Sequence, residues 1–341
     1  MKAAYFDAHG GPDVLVVGEL PDPEPGPGDV IVEVEAAALN HLDLWVRRGL
    51  PGLNVALPHV GGSDFAGTIS EVGRGVGEWR VGDRVTANPG LWCGECEWCL
   101  RGEHSLCERY QILGEHVAGA LAEQVRVPSG NLLRLPDGFP ARHAAAAPLA
   151  FQTAWRALVG RARLRAGETV LVTGASGGVS TAAIQIARRL GARVIAVTSG
   201  PHVEAVRALG ADHVIDRLTE DLSTAVRKLT ERRGVDVALD SVGEKTWKST
   251  VRSLARNGRL ITYGATTGAE GCQDVRLVFW KQLQIIGSTM ASHAEFVEVM
   301  GLVFDGSFEP VVDVVWSLER VGEAHERLEA GEAFGKIILT P

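Results

Sequence analysis

No apolar run in this 341-residue chain approaches membrane-spanning length, and its N-terminus lacks the basic-then-apolar shape of a secretory signal. These absences predict a cytoplasmic protein with no membrane partner. A basic excess is missing too. The 34 Lys and Arg face 42 Asp and Glu, a formal charge of −8, which argues against nucleic acid, whose phosphates ask for a basic surface. There is no internal repeat and no low-complexity tract. Cysteine is scarce at five residues, yet four crowd between Cys93 and Cys107 while Cys272 stands alone. In a cytoplasmic protein that crowding suggests metal rather than disulfides. Apolar content of 45% is ordinary for a globular chain, and the length suits about two domains.

The chain is organised around the stretch from Glu168 to Gly200. Thr169-Val170-Leu171-Val172 reads as a buried parallel strand, and the turn Gly174-Ala175-Ser176-Gly177-Gly178 follows at once. Val179, Ala183, Ile186 and Leu190 then recur at helical spacing, and Gly191 supplies the stop. A second β-branched run, Val194 to Val197, completes a strand–turn–helix–strand unit. Here glycines let the backbone approach a pyrophosphate, whose charge is stabilised by free N–H groups at the helix start. Strands are predicted near 170–173, 193–198, 213–215, 235–239, 259–263 and 284–287, with amphipathic crossovers between them. Six is the count of a complete doubly wound dinucleotide fold.

Upstream the chain is β-rich. Candidate strands are Lys2–Phe6, Val14–Glu19, Val30–Ala37, Phe65–Val72, Arg84–Thr86 and Ala122–Val127, a spacing that suggests a partly closed barrel. Helical material from Ala141 to Val159 leads into the nucleotide unit. Beyond Gly287 the pattern predicts a helix over Glu295–Phe304, a polar turn, a last helix and a strand over Lys336–Thr340. The expected division is 1–149, with a metal lobe at about 90–110, then 150–290, then a return of 291–341 to the first domain. The lobe reads Cys93-x2-Cys96-x2-Cys99-x7-Cys107. Four thiolates close a tetrahedral site with no open position, which fits one structural zinc better than an iron–sulfur cluster.

These motifs join Val81-Gly82-Asp83-Arg84-Val85, Ala208-Leu209-Gly210-Ala211-Asp212, Asp240-Ser241-Val242-Gly243 and Gly335-Lys336-Ile337. With them the chain resembles the medium-chain dehydrogenase/reductase superfamily, which includes zinc alcohol dehydrogenases and quinone reductases. The resemblance implies an α/β protein: a GroES-like, partly open β-barrel catalytic domain plus a Rossmann doubly wound, parallel six-stranded sheet. It also implies that Thr153, Val242, Tyr263 and Gly264 border the nicotinamide, with Gly174, Ala175, Ser176, Gly177, Gly178 and Val179 at the pyrophosphate.

The departures carry the functional reading. Where zinc alcohol dehydrogenases hold a catalytic zinc with cysteine, Gly-His-Glu and a further cysteine, this chain has Asn40, Gly62-Ser63-Asp64 and a residue near Leu149. That is a poor zinc donor set, although Asp64 and His41 could improvise one. The substituted residues match the quinone-reductase branch. Without a Lewis acid, ionising an alcohol is hard, whereas hydride delivery to a quinone or to the β-carbon of an enone needs positioning and a donor for the oxygen. An NAD(P)-dependent reductase of such small molecules is therefore expected. A zinc alcohol dehydrogenase with an atypical site, or a nucleotide-binding protein without turnover, are the alternatives.

Asn40, His41, Asp43, Ser63 and Asp64 are the catalytic candidates. Asn40 is the oxygen donor or a turn residue, and His41 with Asp43 is a proton relay or a structural pair. Trp45 and Trp92 line the pocket or pack in the core, and His59 reads as packing. The second strand of the nucleotide unit ends at Thr198-Ser199-Gly200-Pro201-His202, with no acid until Glu204. Ser199 and His202 then favour NADPH, with NADH the alternative. The apolar edge at Gln284–Gly287 predicts a homodimer or homotetramer.

Overall fold

The computed structural model describes residues 1–341. It divides into two compact units, one made of Met1–Gln152 with Ala291–Pro341, the other of Thr153–Met290.

In the first unit the long strand Asp29–Ala38 is the spine of a seven-stranded sheet. Its β-branched and alanine-rich run is buried on both faces over much of its length. On one side it pairs antiparallel with Asp64–Val72, and two bulges add curvature to the pair. On the other it meets Lys336–Thr340, also antiparallel, with Ile338 opposite Ala38. Gln124–Pro128 lies along its first half. The register brings three strand ends together, since Ala38 faces both Asp64 and Ile338, and the chain then runs on to Asn40 on one strand and back to Lys336 on another. A helix over Ala141–Ala146 packs its alanines on Ala36, Ala38 and Ala66 of this sheet.

The second unit is a parallel sheet of six strands. Their spatial order is His213–Asp216, Arg193–Thr198, Thr169–Val172, Val235–Asp240, Leu254–Thr262 and Gln284–Gly287. By position in the chain that is third, second, first, fourth, fifth, sixth, the Rossmann order. It reverses direction between Thr169–Val172 and Val235–Asp240, the switch point where such folds bind ligands.

The structure corrects several expectations. Pro12 opens a 3-10 turn over Pro12–Val14, so the second strand starts only at Val16. Ala122 makes an isolated bridge to Ala3, and the regular strand begins at Gln124. The material from Ala141 to Val159 is two helices, Ala141–Ala146 and Pro148–Trp155, followed by a π-turn over Arg156–Arg161. Between the last two helices lies a strand, Val312–Ser317, where a polar turn was expected. It pairs parallel to Lys336–Thr340, and its half-buried pattern hides the alternation that marks most strands.

Candidate functional site

Asp64 is the hub of the first unit's polar cluster. It is fully buried, and its oxygens take three bonds. Lys336 Nζ donates to Oδ2 at 3.0 Å, Asn40 Nδ2 to the same oxygen at 2.9 Å, and the Leu149 backbone N–H to Oδ1 at 2.9 Å. Lys336 also donates to Asn40 Oδ1 at 2.5 Å, closing a buried triangle of ammonium, amide and carboxylate. Residue types alone do not reveal Lys336, because it is 296 positions from Asn40 and meets it only through strand register.

This geometry changes the role open to Asn40. Its amide oxygen and one amide hydrogen are taken within the triangle, and its backbone N–H donates to Asp43 Oδ2 at 2.7 Å. Asn40 is the N-cap of the helix His41–Arg48. Asp43 ties this helix to the next segment, because its Oδ1 accepts from Gly62 N at 2.8 Å. Gly62 has φ +92°, and a Cβ there would meet Leu121 within 2.9 Å, so only glycine fits the bend. Asp43 is thus satisfied by backbone donors rather than by His41. Burial pushes its carboxyl up to about 6 against the pull of those two N–H groups. His41 is held below its ordinary value by burial, then by the positive charges of Lys336 and Arg48, so it is the neutral imidazole near pH 7.

Ser63 is 1% exposed and Gln152 is fully buried, yet the Ser63 hydroxyl and both ends of the Gln152 amide lack a protein partner. Gln152 did not stand out in the sequence. Neither did Glu115, which burial and then the charge of Asp43 push up to about 7. His59 is a packing residue, 5.4 Å from Phe6 and bonded to Gly114 O at 3.0 Å.

A catalytic zinc does not fit this cluster. The alkyl group of Leu149, the amide of Asn40 and the hydroxyl of Ser63 are weak donors. Asp64 Oδ2 already accepts from the Lys336 ammonium and the Asn40 amide, and Oδ1 from the Leu149 N–H, which leaves a metal paired with His41 a poor oxygen ligand.

The four-cysteine lobe does fit a metal. All four Sγ atoms lie within 4.8 Å of one another, and Cys93–Cys99 and Cys96–Cys99 are 3.8 and 3.6 Å apart. A zinc tetrahedron with Zn–S of about 2.3 Å has edges of about 3.8 Å. The Cys96 N–H points at the Cys93 sulfur at 3.3 Å, which favours its thiolate, and the Arg109 N–H points at the Cys107 sulfur at 3.3 Å. Trp92 is clamped beside the lobe, 4.5 Å from the His104 ring and 5.2 Å from that of His293.

In the second unit the helix Gly178–Arg189 starts directly after the turn. Gly174 has φ +57°, a left-handed conformation that favours glycine, and it lies in contact with Val242. Ser180 Oγ bonds the Thr173 carbonyl at 3.0 Å and approaches the Tyr263 hydroxyl at 3.4 Å, so it braces the turn. Asp240, fully buried, accepts from Val242 N, Gly243 N, Thr246 Oγ1 and Thr250 Oγ1 and fixes the next loop. Gly264 lies against Ser241, where a Cβ would meet the backbone at 3.2 Å. The turn Gly174–Val179, Val242 and Tyr263-Gly264 thus gather at the carboxyl ends of adjacent strands, a cradle that fits a dinucleotide. Ser199 and His202 stand at the end of the neighbouring strand, while Thr153 turns to Met290 Sδ at 3.9 Å. Asp216 and Arg217, which no local motif marks, join them. Asp216 is 3.4 Å from where a Gly200 Cβ would sit, and Arg217 N bonds Thr198 O at 2.9 Å.

Known families match both units. Residues 26–137 match the alcohol dehydrogenase GroES-like domain, and residues 178–305 match the zinc-binding dehydrogenase family. A NAD-dependent alcohol dehydrogenase of Saccharolobus solfataricus is 34% identical over 337 residues, covering 96% of each chain. An acryloyl-coenzyme A reductase of Metallosphaera sedula is 32% identical over 342 residues, covering 100% of each. The crystal structure of a NAD-dependent alcohol dehydrogenase superposes with a TM-score of 0.95 at 45% identity, covering 100% of both chains. With a GroES-like unit, a six-stranded Rossmann sheet and relatives along its whole length, the chain belongs to the medium-chain dehydrogenase/reductase superfamily and is an oxidoreductase of the alcohol dehydrogenase type.

Proposed function

We propose that the protein is a nicotinamide-dependent reductase of activated double bonds, α,β-unsaturated carbonyl compounds and quinones, working without a catalytic metal. The observation that supports this reading is the buried Lys336–Asp64–Asn40 triangle, because Asn40 and Asp64, which by resemblance fall at the metal-site motifs of zinc-dependent members, are bonded to an ammonium. The resemblance to an acryloyl-coenzyme A reductase supports an enoyl thioester as the acceptor.

The dihydronicotinamide, when bound, supplies a hydride. The chain's residues must then hold the acceptor's carbonyl oxygen as the double-bond electrons move onto it, and deliver a proton to the α-carbon. A dry site makes fixed dipoles effective at that oxygen. Asp43 at about 6 and Glu115 at about 7 are the groups able to hold a proton near neutrality. His41, kept neutral, can pass one on. Cys93, Cys96, Cys99 and Cys107 would hold one structural zinc that staples the lobe and takes no part in the reaction.

The test is a panel of crotonyl-CoA, acryloyl-CoA, a simple enone and a quinone with NADPH, against primary and secondary alcohols with NAD+ and NADP+. Turnover of the unsaturated acceptors with none of the alcohols is expected. Turnover of alcohols alone sinks the proposal.

NADPH is the proposed cofactor. Arg217 is the cation assigned to the 2′-phosphate in this reading, because its backbone N–H is held on Thr198 O at 2.9 Å. Replacing Arg217 with alanine should raise KM for NADPH by about tenfold and leave NADH unchanged, the scale of one phosphate contact. An equal change for both cofactors would contradict the assignment.

The protein is also proposed to dimerise through the sheet edge Gln284–Gly287. Val275, Phe279, Trp280 and Ile285 expose large apolar surfaces around that edge. Ile285→Lys with Trp280→Glu should convert a dimer to a monomer in sedimentation. A wild-type monomer would refute the interface.

A further inference from the structure

Two buried polar groups beside the Asp64 hub are idle in the architecture just described. The Gln152 amide is fully buried with neither its nitrogen nor its oxygen bonded to the protein, and the Ser63 hydroxyl at 1% exposure is in the same state. Leaving such groups unpaired is costly, and native proteins rarely tolerate it without a use. Both are held in place by their neighbours. Ser63 is bracketed by Gly62, whose N–H is fixed on Asp43, and by Asp64 with its three bonds. Gln152 lies in the helix Pro148–Trp155, one turn beyond Leu149, whose N–H is fixed on that same Asp64. The carboxylate therefore anchors both segments, and each carries one unpaired donor.

We propose that the Ser63 hydroxyl and the Gln152 amide are the donors that receive the carbonyl oxygen of the unsaturated substrate. The inference deepens the reductase reading and rests on it. Asn40, the donor that residue types suggest, has its amide oxygen and one amide hydrogen committed to Lys336 and Asp64. As hydride adds to the β-carbon, the C=C pair shifts toward the carbonyl and negative charge gathers on its oxygen. An O–H and an N–H already free of protein partners meet that charge with little reorganisation. A proton held by Asp43 or Glu115 then passes to the α-carbon, leaves that carboxylate charged, and completes the reduction. The two groups touch the reacting oxygen and are catalytic residues, whereas Asp64 and Lys336 act through them as positioning residues.

The experiment compares wild type with Gln152→Met, Ser63→Ala and the double variant. Its readouts are steady-state reduction of crotonyl-CoA by NADPH, thermal melting, and the absorption spectrum of cinnamoyl-CoA bound with NADP+. Each single change should lower kcat/KM about 100-fold, mostly in kcat, as loss of one oxyanion donor does. Melting temperature should hold or rise, because an unpaired buried group has gone. The bound cinnamoyl thioester should be red-shifted in wild type, where its carbonyl is polarised, and less so in each variant. Unchanged kcat and an unchanged red shift would overturn the donor assignment and leave the reductase reading intact. A fall in activity that only tracks a lower melting temperature, with the red shift kept, would overturn it as well. A wild-type protein that neither reduces nor binds these thioesters, enones or quinones would take down both.

Discussion

Replacing Lys336 with methionine should lower kcat/KM for the unsaturated acceptor by about 10²- to 10³-fold and cost about 3–5 kcal/mol of stability. The size follows from burial. Lys336 is 4% exposed and Asp64 fully buried, so removing the ammonium strands a carboxylate in a dry site. Loss of stability and loss of activity separate in a second variant. Lys336→Met with Asp64→Asn has no charge left to strand, so most of the stability should return while activity stays low. Lys336→Arg, which keeps the charge, should retain part of the activity. Denaturant titration and steady-state kinetics on the three proteins check this. Activity that recovers together with stability in the double variant would reduce Lys336 to a structural residue.

The second large effect is on acid stability. Arg47 is fully buried, and its guanidinium bonds Gly10 O at 3.2 Å, His325 Nδ1 at 3.1 Å and Glu329 at 3.1 Å. These bonds pin the helix that starts at Asn40 to the C-terminal helix Val321–Glu329. Burial, and then the charge of Arg47, press His325 down to about 3. Above pH about 6.5 this histidine is neutral folded or unfolded and contributes nothing to pH dependence. As pH falls below about 6.5, the unfolded chain takes up a proton that the folded one refuses. Stability is then lost at about 1.4 kcal/mol per pH unit, toward a total of about 5 kcal/mol near pH 3. Urea midpoints at pH 7 and pH 5 should differ clearly in wild type. His325→Gln, which keeps an acceptor for Arg47 and cannot charge, should flatten that limb. An acid limb of the same steepness in the variant would contradict the account.

What the residues reveal unaided follows from the range of the interactions. The nucleotide sheet is written locally, in β-branched runs bounded by glycine turns. Arg193–Thr198 and Gln284–Gly287 accordingly fall where the pattern places them. The first unit is written in pairings between distant segments. Val312–Ser317 lacks a legible alternation because neither of its faces is fully buried. The polar cluster was half legible. Asn40, Asp43, Ser63 and Asp64 come from a motif and its departures, but no local signal joins them to Lys336, which arrives by strand register. Gln152 was hidden for a different reason. Its type and position are ordinary, and only the absence of a partner in the folded chain makes it a candidate. Arg217 likewise comes to Thr198 by pairing of neighbouring strands.

The central claim is that one metal staples the lobe and none serves the chemistry. Elemental analysis of protein purified without added metal tests it most directly, on wild type, Cys107→Ser and Asp64→Asn. One zinc per chain is predicted, lost in Cys107→Ser and kept in Asp64→Asn. Two zincs per chain, one of them lost in Asp64→Asn, would contradict the account and restore a zinc-dependent alcohol dehydrogenase.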